Sequence, residues 1–212
     1  MAINQAERTR RSRAKILEAA LELFSRGGYR GTSMREIADE AGVSTGNVYH
    51  QFPDKEALFI TLLDEYWQQL SSPDHPINQT LANSLFPDQL EEIGEAARAS
   101  VERYRRFIKL IYVDVVEFEG EHVRRFYASM PERFSAFVNH HPTMLSGAQH
   151  LREGIDPSFA VMLASRVFLQ YFAVEVLFGV EDHYGRNSKQ VIHEISDVLR
   201  HGILPPPGPA KS

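Results

Sequence analysis

The stretch Thr32–Leu58, TSMREIADEAGVSTGNVYHQFPDKEAL, leaves a chain few ways to fold. Ser33 and Glu36 stand three residues apart ahead of an apolar set, Ile37, Ala38 and Ala41. That is a capping box, in which each side chain satisfies the other residue's free backbone N–H. Gly42 stops this helix, and Ser44 can cap another at once by accepting from the N–H of Gly46 or Asn47. Val43 and Val48 occupy the two positions of a hydrophobic staple. Pro53 marks the end of the second helix, and Asp54 caps a third. Two short helices joined by so tight a turn form a helix-turn-helix, whose second helix can lie in a DNA major groove.

The same stretch contains Gly42-Val43-Ser44-Thr45-Gly46, the G-x-S-x-G pattern of a nucleophile elbow. An elbow needs a strand leading into the serine. Here MREIADEA leads in, a helix by pattern, and no parallel sheet is available to carry a triad. Ser44 therefore reads as a helix cap. No catalytic residue is assigned and the chain is expected not to be an enzyme, with a serine hydrolase using Ser44 as a remote alternative.

The rest of the chain reads as helix. Ala14–Arg26 carries Ile16, Leu17, Ala20, Leu23 and Phe24 on one face and stops at Gly27-Gly28. A fourth helix runs from Asp54 to about Leu70. Ser71–Pro87, rich in Pro, Asn and Asp, reads as a loop with little regular structure. Gln89–Phe107 is helical in composition. FIKLIYVDVVEF, Phe107–Phe118, has strand-like β-branching, but no second run could pair with it, so it reads as buried helix. Glu121–His140 is one amphipathic helix, broken at Pro142. Asp156-Pro157 opens a helix to Gly179 that is apolar nearly all round, and a last helix runs from Lys189 to His201. The Pro-rich tail from Pro205 forms no packed element. No apolar run approaches the roughly 20 residues of a membrane helix, so no membrane partner is expected.

Charge is unevenly placed. The net charge is −5, yet residues 1–52 hold eight Lys and Arg against six Asp and Glu. Arg8, Arg10, Arg11, Arg13 and Lys15 crowd the first fifteen residues, a basic tip suited to phosphates on an acidic body. With no cysteine, disulfides and thiolate metal sites are excluded, in keeping with a reducing cytoplasm. The Arg-rich start lacks the apolar core of a secretory signal. His140 and His141 are adjacent and point apart on a helix, so no metal is expected, and no cofactor.

Placed on the second helix of the motif, Thr45, Gly46 and Asn47 lead toward base edges. Asn47 suits a bidentate pair with adenine and the Thr45 methyl a thymine methyl. Tyr49 and His50 are placed to touch phosphates. Lys55 lies in a helix's first turn, where the dipole disfavours a cation and a bound phosphate would reverse that cost.

These residues, over about Ala14–Phe59 (ILEAALELFSRGGYRGTSMREIADEAGVSTGNVYHQFPDKEALF within it), resemble the TetR family of transcriptional regulators, with the family's spacing throughout. The resemblance implies an all-α fold: a three-helix DNA-binding head over residues 1–53, a helical ligand-binding and dimerisation body over 54–204, and the tail 205–212. It implies that Thr32 and Ser33 approach phosphate, that Thr45, Gly46 and Asn47 read bases beside the capping Ser44, that Tyr49, His50 and Lys55 hold the backbone, and that Phe52 is core. Gln51 departs from the family's usual His or Tyr but can still donate to a phosphate. Arg11 and Arg13 complete the expected DNA-binding set. The second half matches only in architecture, LREGIDPSFA being similar to the family's lead-in to its penultimate helix.

The implied function is a ligand-responsive repressor, a homodimer on a palindromic operator in double-stranded DNA, released by a small apolar or aromatic molecule. An activator or partner-regulated protein of the same fold is the alternative. Two heads must sit about 34–36 Å apart to enter successive major grooves, a spacing that the last two helices of each chain would fix as a four-helix bundle. A ligand would tilt the fourth helix and change the separation. Tyr104, Phe107, Ile111, Tyr112, Phe126, Phe134, Phe137, Phe168 and Phe172 are the candidate cavity lining. Val161, Phe168, Phe172, Val176, Ile195, Val198 and Leu199 are the candidate dimer face.

Overall fold

The computed structural model describes residues 4–83, 85–142 and 151–203, so the Pro-rich tail lies outside the described residues. Among them the only regular element is the α-helix: α1 (Gln5–Gly27), α2 (Met34–Ala41), α3 (Thr45–Gln51), α4 (Lys55–Leu70), α5 (Pro76–Asn83), α6 (Leu90–Glu117), α7 (Glu121–Ala128), α8 (Met130–His140), α9 (Pro157–Phe178) and α10 (Ser188–Ile203). They form two compact units. One comprises the chain to Leu70 with Arg106–Tyr127, and the other comprises Ser71–Arg105 with the chain from Ala128.

In the first unit, α1 begins nine residues before the expected Ala14, because the Asn4 side chain accepts from the Glu7 N–H at 2.8 Å and caps it. Ile16, Ala20 and Phe24 are fully buried on its inner face. These meet Ile37 and Ala38 of α2, Val48 of α3, and Leu58, Phe59, Leu62 and Leu63 of α4 in a single core. The unit thus extends past the expected boundary at residue 53, since a cut there would expose those four α4 side chains. The second half of α6 joins this core through Leu110, and α7 through Val123. Phe107–Phe118 is helix as far as Glu117, as its lack of a strand partner required. An aromatic cluster closes the core: the Phe59 ring lies 5.6 Å from Phe24, 5.5 Å from Tyr29 and 5.2 Å from Phe118.

The chain from Ser71 onward departs from expectation at three places. The supposed loop Ser71–Pro87 contains α5. Pro76 fits a helix's first position, where its missing N–H is not needed, and Ile77 and Leu81 share one buried face. The expected single helix Glu121–His140 is two, α7 and α8. Pro131 stands in the first turn of α8, where its ring cannot continue a preceding turn. Finally, α9 at 22 residues is long and apolar enough, by length and composition alone, to cross a membrane. It nonetheless buries Ser165 and Glu175 with its apolar side chains and packs against α8 and α10. The Asp156 cap and Gly179 stop bound it as expected. Where α6, α9 and α10 meet, a Cβ on Gly94 would come within 2.9 Å of Ile192 and 3.1 Å of Phe168, so only glycine permits this approach.

Candidate nucleic-acid interface

The capping box is present in full. Glu36 N–H donates to Ser33 Oγ at 3.2 Å, and Ser33 N–H donates to Glu36 Oε2 at 2.7 Å. The Ser33 hydroxyl also donates to Glu36 Oε2 at 2.7 Å, and this bond, with that from the Ser33 N–H, holds the Glu36 carboxyl below its ordinary range. Gly42 closes α2 in the left-handed region at φ 65°, which a side chain rarely adopts. Two residues later Ser44 Oγ accepts from the Asn47 N–H at 3.2 Å. Helix therefore stands on both sides of Ser44, and the strand-to-helix turn of a nucleophile elbow is not there. Val48 is fully buried and anchors α3 to the core. The opposite side of α3 faces out, with Gly46 and His50 exposed and the Tyr49 side chain 52% exposed.

Other members of the predicted DNA-binding set are committed inside the unit. Thr32 is buried and its hydroxyl donates to the Gly28 carbonyl at 2.9 Å, so it offers no hydroxyl to a phosphate. Lys55 Nζ donates to the carbonyls of Tyr29 at 2.7 Å and Thr32 at 2.8 Å and sits 4.1 Å from the Tyr29 ring centre. Partial burial lowers its pKa. Its place in a helix's first turn is thus explained without a bound phosphate. Asn47 and Gln51 turn toward α1. Asn47 Nδ2 donates to Ser12 Oγ at 3.0 Å, and Gln51 Nε2 donates to Ser12 Oγ at 3.1 Å and to Asn47 Oδ1 at 2.8 Å. Ser33 and Thr45 keep partial or full access to solvent. Arg11 is exposed and pairs with Glu7 at 2.8 Å, while the Arg13 guanidinium lies 4.3 Å above the buried Phe52 ring.

Three contributors escaped the sequence reading. Glu117, at the end of α6, accepts from the backbone N–H of Tyr29 at 2.9 Å and of Arg30 at 2.7 Å. With Lys55 it holds the Tyr29–Thr32 turn from both sides, an acid on the amides and a base on the carbonyls. Arg30 joins Ser33, Glu36, Tyr49 and Lys55 around an open cleft of about 410 Å³ beside the start of α2. Ser12 joins α1 to α3. Partners 88 and 35 residues away carry no local signal, which is why the motif alone did not reveal them.

The nine candidate ligand residues divide between the units. Phe107, Ile111, Tyr112 and Phe126 belong to the first, and Tyr104, Phe134, Phe137, Phe168 and Phe172 to the second. Phe107 stacks on Tyr66 and Phe126 on Trp67, while Tyr112 is exposed. In the second unit Tyr104 stacks on the buried His75 at 5.3 Å, and Phe168 and Phe172 are fully buried. The candidate dimer face needs correction. Val161, Phe168 and Phe172 are wholly buried within the chain and cannot meet a partner. Val176, Ile195 and Leu199 are half-buried, and Val198 is exposed. The apolar side chains that α9 leaves to solvent are Phe159, Leu163 and Phe178.

A helical head with a short capped helix presented behind a tight turn is a helix-turn-helix. Residues 16–62 match the family described as bacterial regulatory proteins, tetR family. Residues 16–62 thus carry a TetR-family N-terminal domain. The HTH-type transcriptional repressor KstR2 of Mycobacterium tuberculosis is 32% identical over 102 residues, 48% of this chain and 50% of that protein. The HTH-type transcriptional regulator RutR of Escherichia coli is 52% identical over 48 residues, 23% of each chain. The curated relatives that align with about half of this chain are spanned over 30% to 61% of their own length. In fold, a TetR-family transcriptional regulator from Mesorhizobium loti superposes with a TM-score of 0.65 over 93% of this chain and 99% of that one, at 24% identity.

Proposed function

We propose that this chain is a DNA-binding transcriptional repressor, a cytoplasmic homodimer that seats α3 of each copy in successive major grooves of a palindromic operator. The observation that carries this reading is the division of α3. Val48 is fixed in the core while Gly46, Tyr49 and His50 stand outward beside the exposed arginines of α1. Phe159, Leu163, Phe178 and Val198 supply exposed apolar surface on α9 and α10 for a second copy. Release by a small apolar or aromatic molecule is supported by the second unit, where buried His75 stacks on the Tyr104 ring. Its Nε2 lies 2.8 Å from Ser100 Oγ and its buried Nδ1 has no hydrogen-bond partner. Burial lowers the imidazole to about 4, so it is neutral at physiological pH.

The test is a salt titration of binding to duplexes from the gene's own upstream region. The expected slope of log affinity against log salt is about −0.9 for each phosphate neutralised. A slope near zero, or no binding even in dilute buffer, rules the reading out. Compounds are then screened for release of the bound duplex, with His75→Leu expected to lose the response.

A further inference from the structure

Taking DNA binding by α3 as its premise, we propose that Ser12 is a positioning residue that holds Asn47 closed until a matching base edge draws it out. In the arrangement observed, Asn47 Nδ2 donates to Ser12 Oγ at 3.0 Å and Asn47 Oδ1 accepts from Gln51 Nε2 at 2.8 Å. An adenine edge requires one donor and one acceptor from the same amide. Both ends of Asn47 are therefore already engaged, by one group from α1 and one from the next turn of α3.

Two groups are left over. Gln51 Oε1 is buried with no hydrogen-bond partner. Ser12 Oγ accepts twice, from Asn47 and from Gln51 at 3.1 Å, and no acceptor stands against its own proton among the described residues. A half-turn of the Gln51 carboxamide would bring Oε1 to the Ser12 hydroxyl and satisfy both, while setting Nε2 in the buried place that Oε1 leaves. While Asn47 stays in place, that half-turn sets Oε1 against Asn47 Oδ1, two acceptors at contact distance. Reversing both amides only puts Gln51 Nε2 in the orphan's position. Every closed arrangement thus leaves one buried amide group unsatisfied, which is unfavourable. When Asn47 swings out, Gln51 turns and Ser12 donates to it. Release of Asn47 thus exchanges its bonds to Ser12 and Gln51 for a reversed Ser12–Gln51 bond and is unfavourable within the protein. It becomes favourable on a base edge that replaces both lost bonds and remains unfavourable on one that replaces neither. Ser12 and Gln51, which touch no base, sharpen what Asn47 reads.

The test has two arms. In the free protein, the side-chain amide protons of Asn47 are followed by NMR in the wild type, in Ser12→Ala and in Ser12→Thr. Ser12→Ala is expected to move the Asn47 pair toward free-amide shifts with faster solvent exchange, and Ser12→Thr, which keeps the hydroxyl, to restore the wild-type signal. In the second arm the probe is a duplex retained by the wild type from a random-sequence pool, with its single-base-pair variants. Ser12→Ala is expected to bind that duplex about three- to tenfold tighter, the worth of roughly one hydrogen bond, to leave an unrelated duplex unchanged, and to discriminate less at one base pair. Adding Asn47→Ala should erase the gain. Asn47 amide protons indifferent to Ser12→Ala overturn the proposal, as does an equal weakening on all duplexes. A wild type that retains no duplex removes the DNA-binding premise and the discrimination with it, a result distinct from a failure in the NMR arm alone.

Discussion

In the first unit, buried polar groups find partners. The carboxylate of Asp114, fully buried, lies 2.6 Å from His122 Nδ1 and accepts from the Val123 N–H at 3.2 Å. Glu117 and Lys55 hold the Tyr29–Thr32 turn through backbone groups. Gln51 Oε1 is the exception there among the described residues. In the second unit His75 Nδ1, His183 Nδ1 and Ser196 Oγ are buried without a hydrogen-bond partner. A partnered interior fixes one geometry, as a surface that must match a groove requires. Orphaned polar atoms in an apolar interior are unfavourable until something bonds them. The contrast supports the proposed division into a DNA-presenting unit and a ligand-receiving one.

The largest expected effect tests whether the first unit is one core. Phe59→Ala removes a ring that touches Phe24, Tyr29 and Phe118, and should cost about 3–5 kcal/mol. Urea unfolding followed by hydrogen exchange should show the loss in α1 to α4 and the second half of α6 together. Loss confined to α4 would separate that helix from the head and return the boundary to residue 53.

The next test concerns the second unit. The folded imidazole of His75 resists protonation until about 4, whereas its ordinary value is 6.5. The unfolded chain therefore binds the proton first as pH falls. The stability lent by neutral His75 is full above about 6.5 and drains between 6.5 and 4. The loss is at most roughly 3 kcal/mol. Wild type measured against His75→Leu over this range should show it, while the leucine variant should lack that slope. Parallel pH profiles would place His75 in contact with water and end the contrast between the units.

Lys55→Met addresses the turn. Removing two charge-assisted bonds to partly buried carbonyls should destabilise the first unit by about 2 kcal/mol. If Lys55 acts structurally, the salt slope of DNA binding changes little. A slope shallower by about one phosphate with unchanged stability would return Lys55 to the backbone-contact role that the family resemblance implied.

What the sequence disclosed and what it withheld follow from the range of each interaction. Ser33, Glu36, Gly42, Ser44 and Asp54 act on backbone groups within four residues, so their spacing alone located α2, α3 and the start of α4. The early start of α1 at Asn4 and the hidden α5 were equally local. Neither stands out in the pattern, because the arginines read as charge and the proline as a loop signal. The commitments of Asn47, Lys55 and Glu117 depend on residues 23 to 88 positions away. Sequence pattern singled out Asn47 and Lys55 but could not say which way each would turn, and it held no signal for Glu117. In α9, where nearly every face is apolar, periodicity had nothing to distinguish the inward stripe from the outward one. Val161, Phe168 and Phe172, expected at the partner's side, accordingly lie on the inward one.

The smallest effect returns to Ser44. Its hydroxyl satisfies one amide of a seven-residue helix, so Ser44→Ala should cost about 1 kcal/mol. Ser33→Ala should cost somewhat more, because Glu36 then loses its hydroxyl partner as well as the cap. Ser44→Asp restores an acceptor at the same amide and should recover stability while adding a negative charge at the leading end of α3. Against DNA that charge is unfavourable, so stability and duplex affinity are expected to part: alanine lowers both modestly, aspartate keeps the first and loses most of the second. If aspartate binds as well as serine, the leading end of α3 does not approach phosphate, and α3 must be seated differently. If alanine costs nothing, α3 is held by Val48 and the Asn47–Gln51–Ser12 contacts rather than by its cap. The rigidity of the head would then come from its long-range bonds and not from the local motif that first identified it.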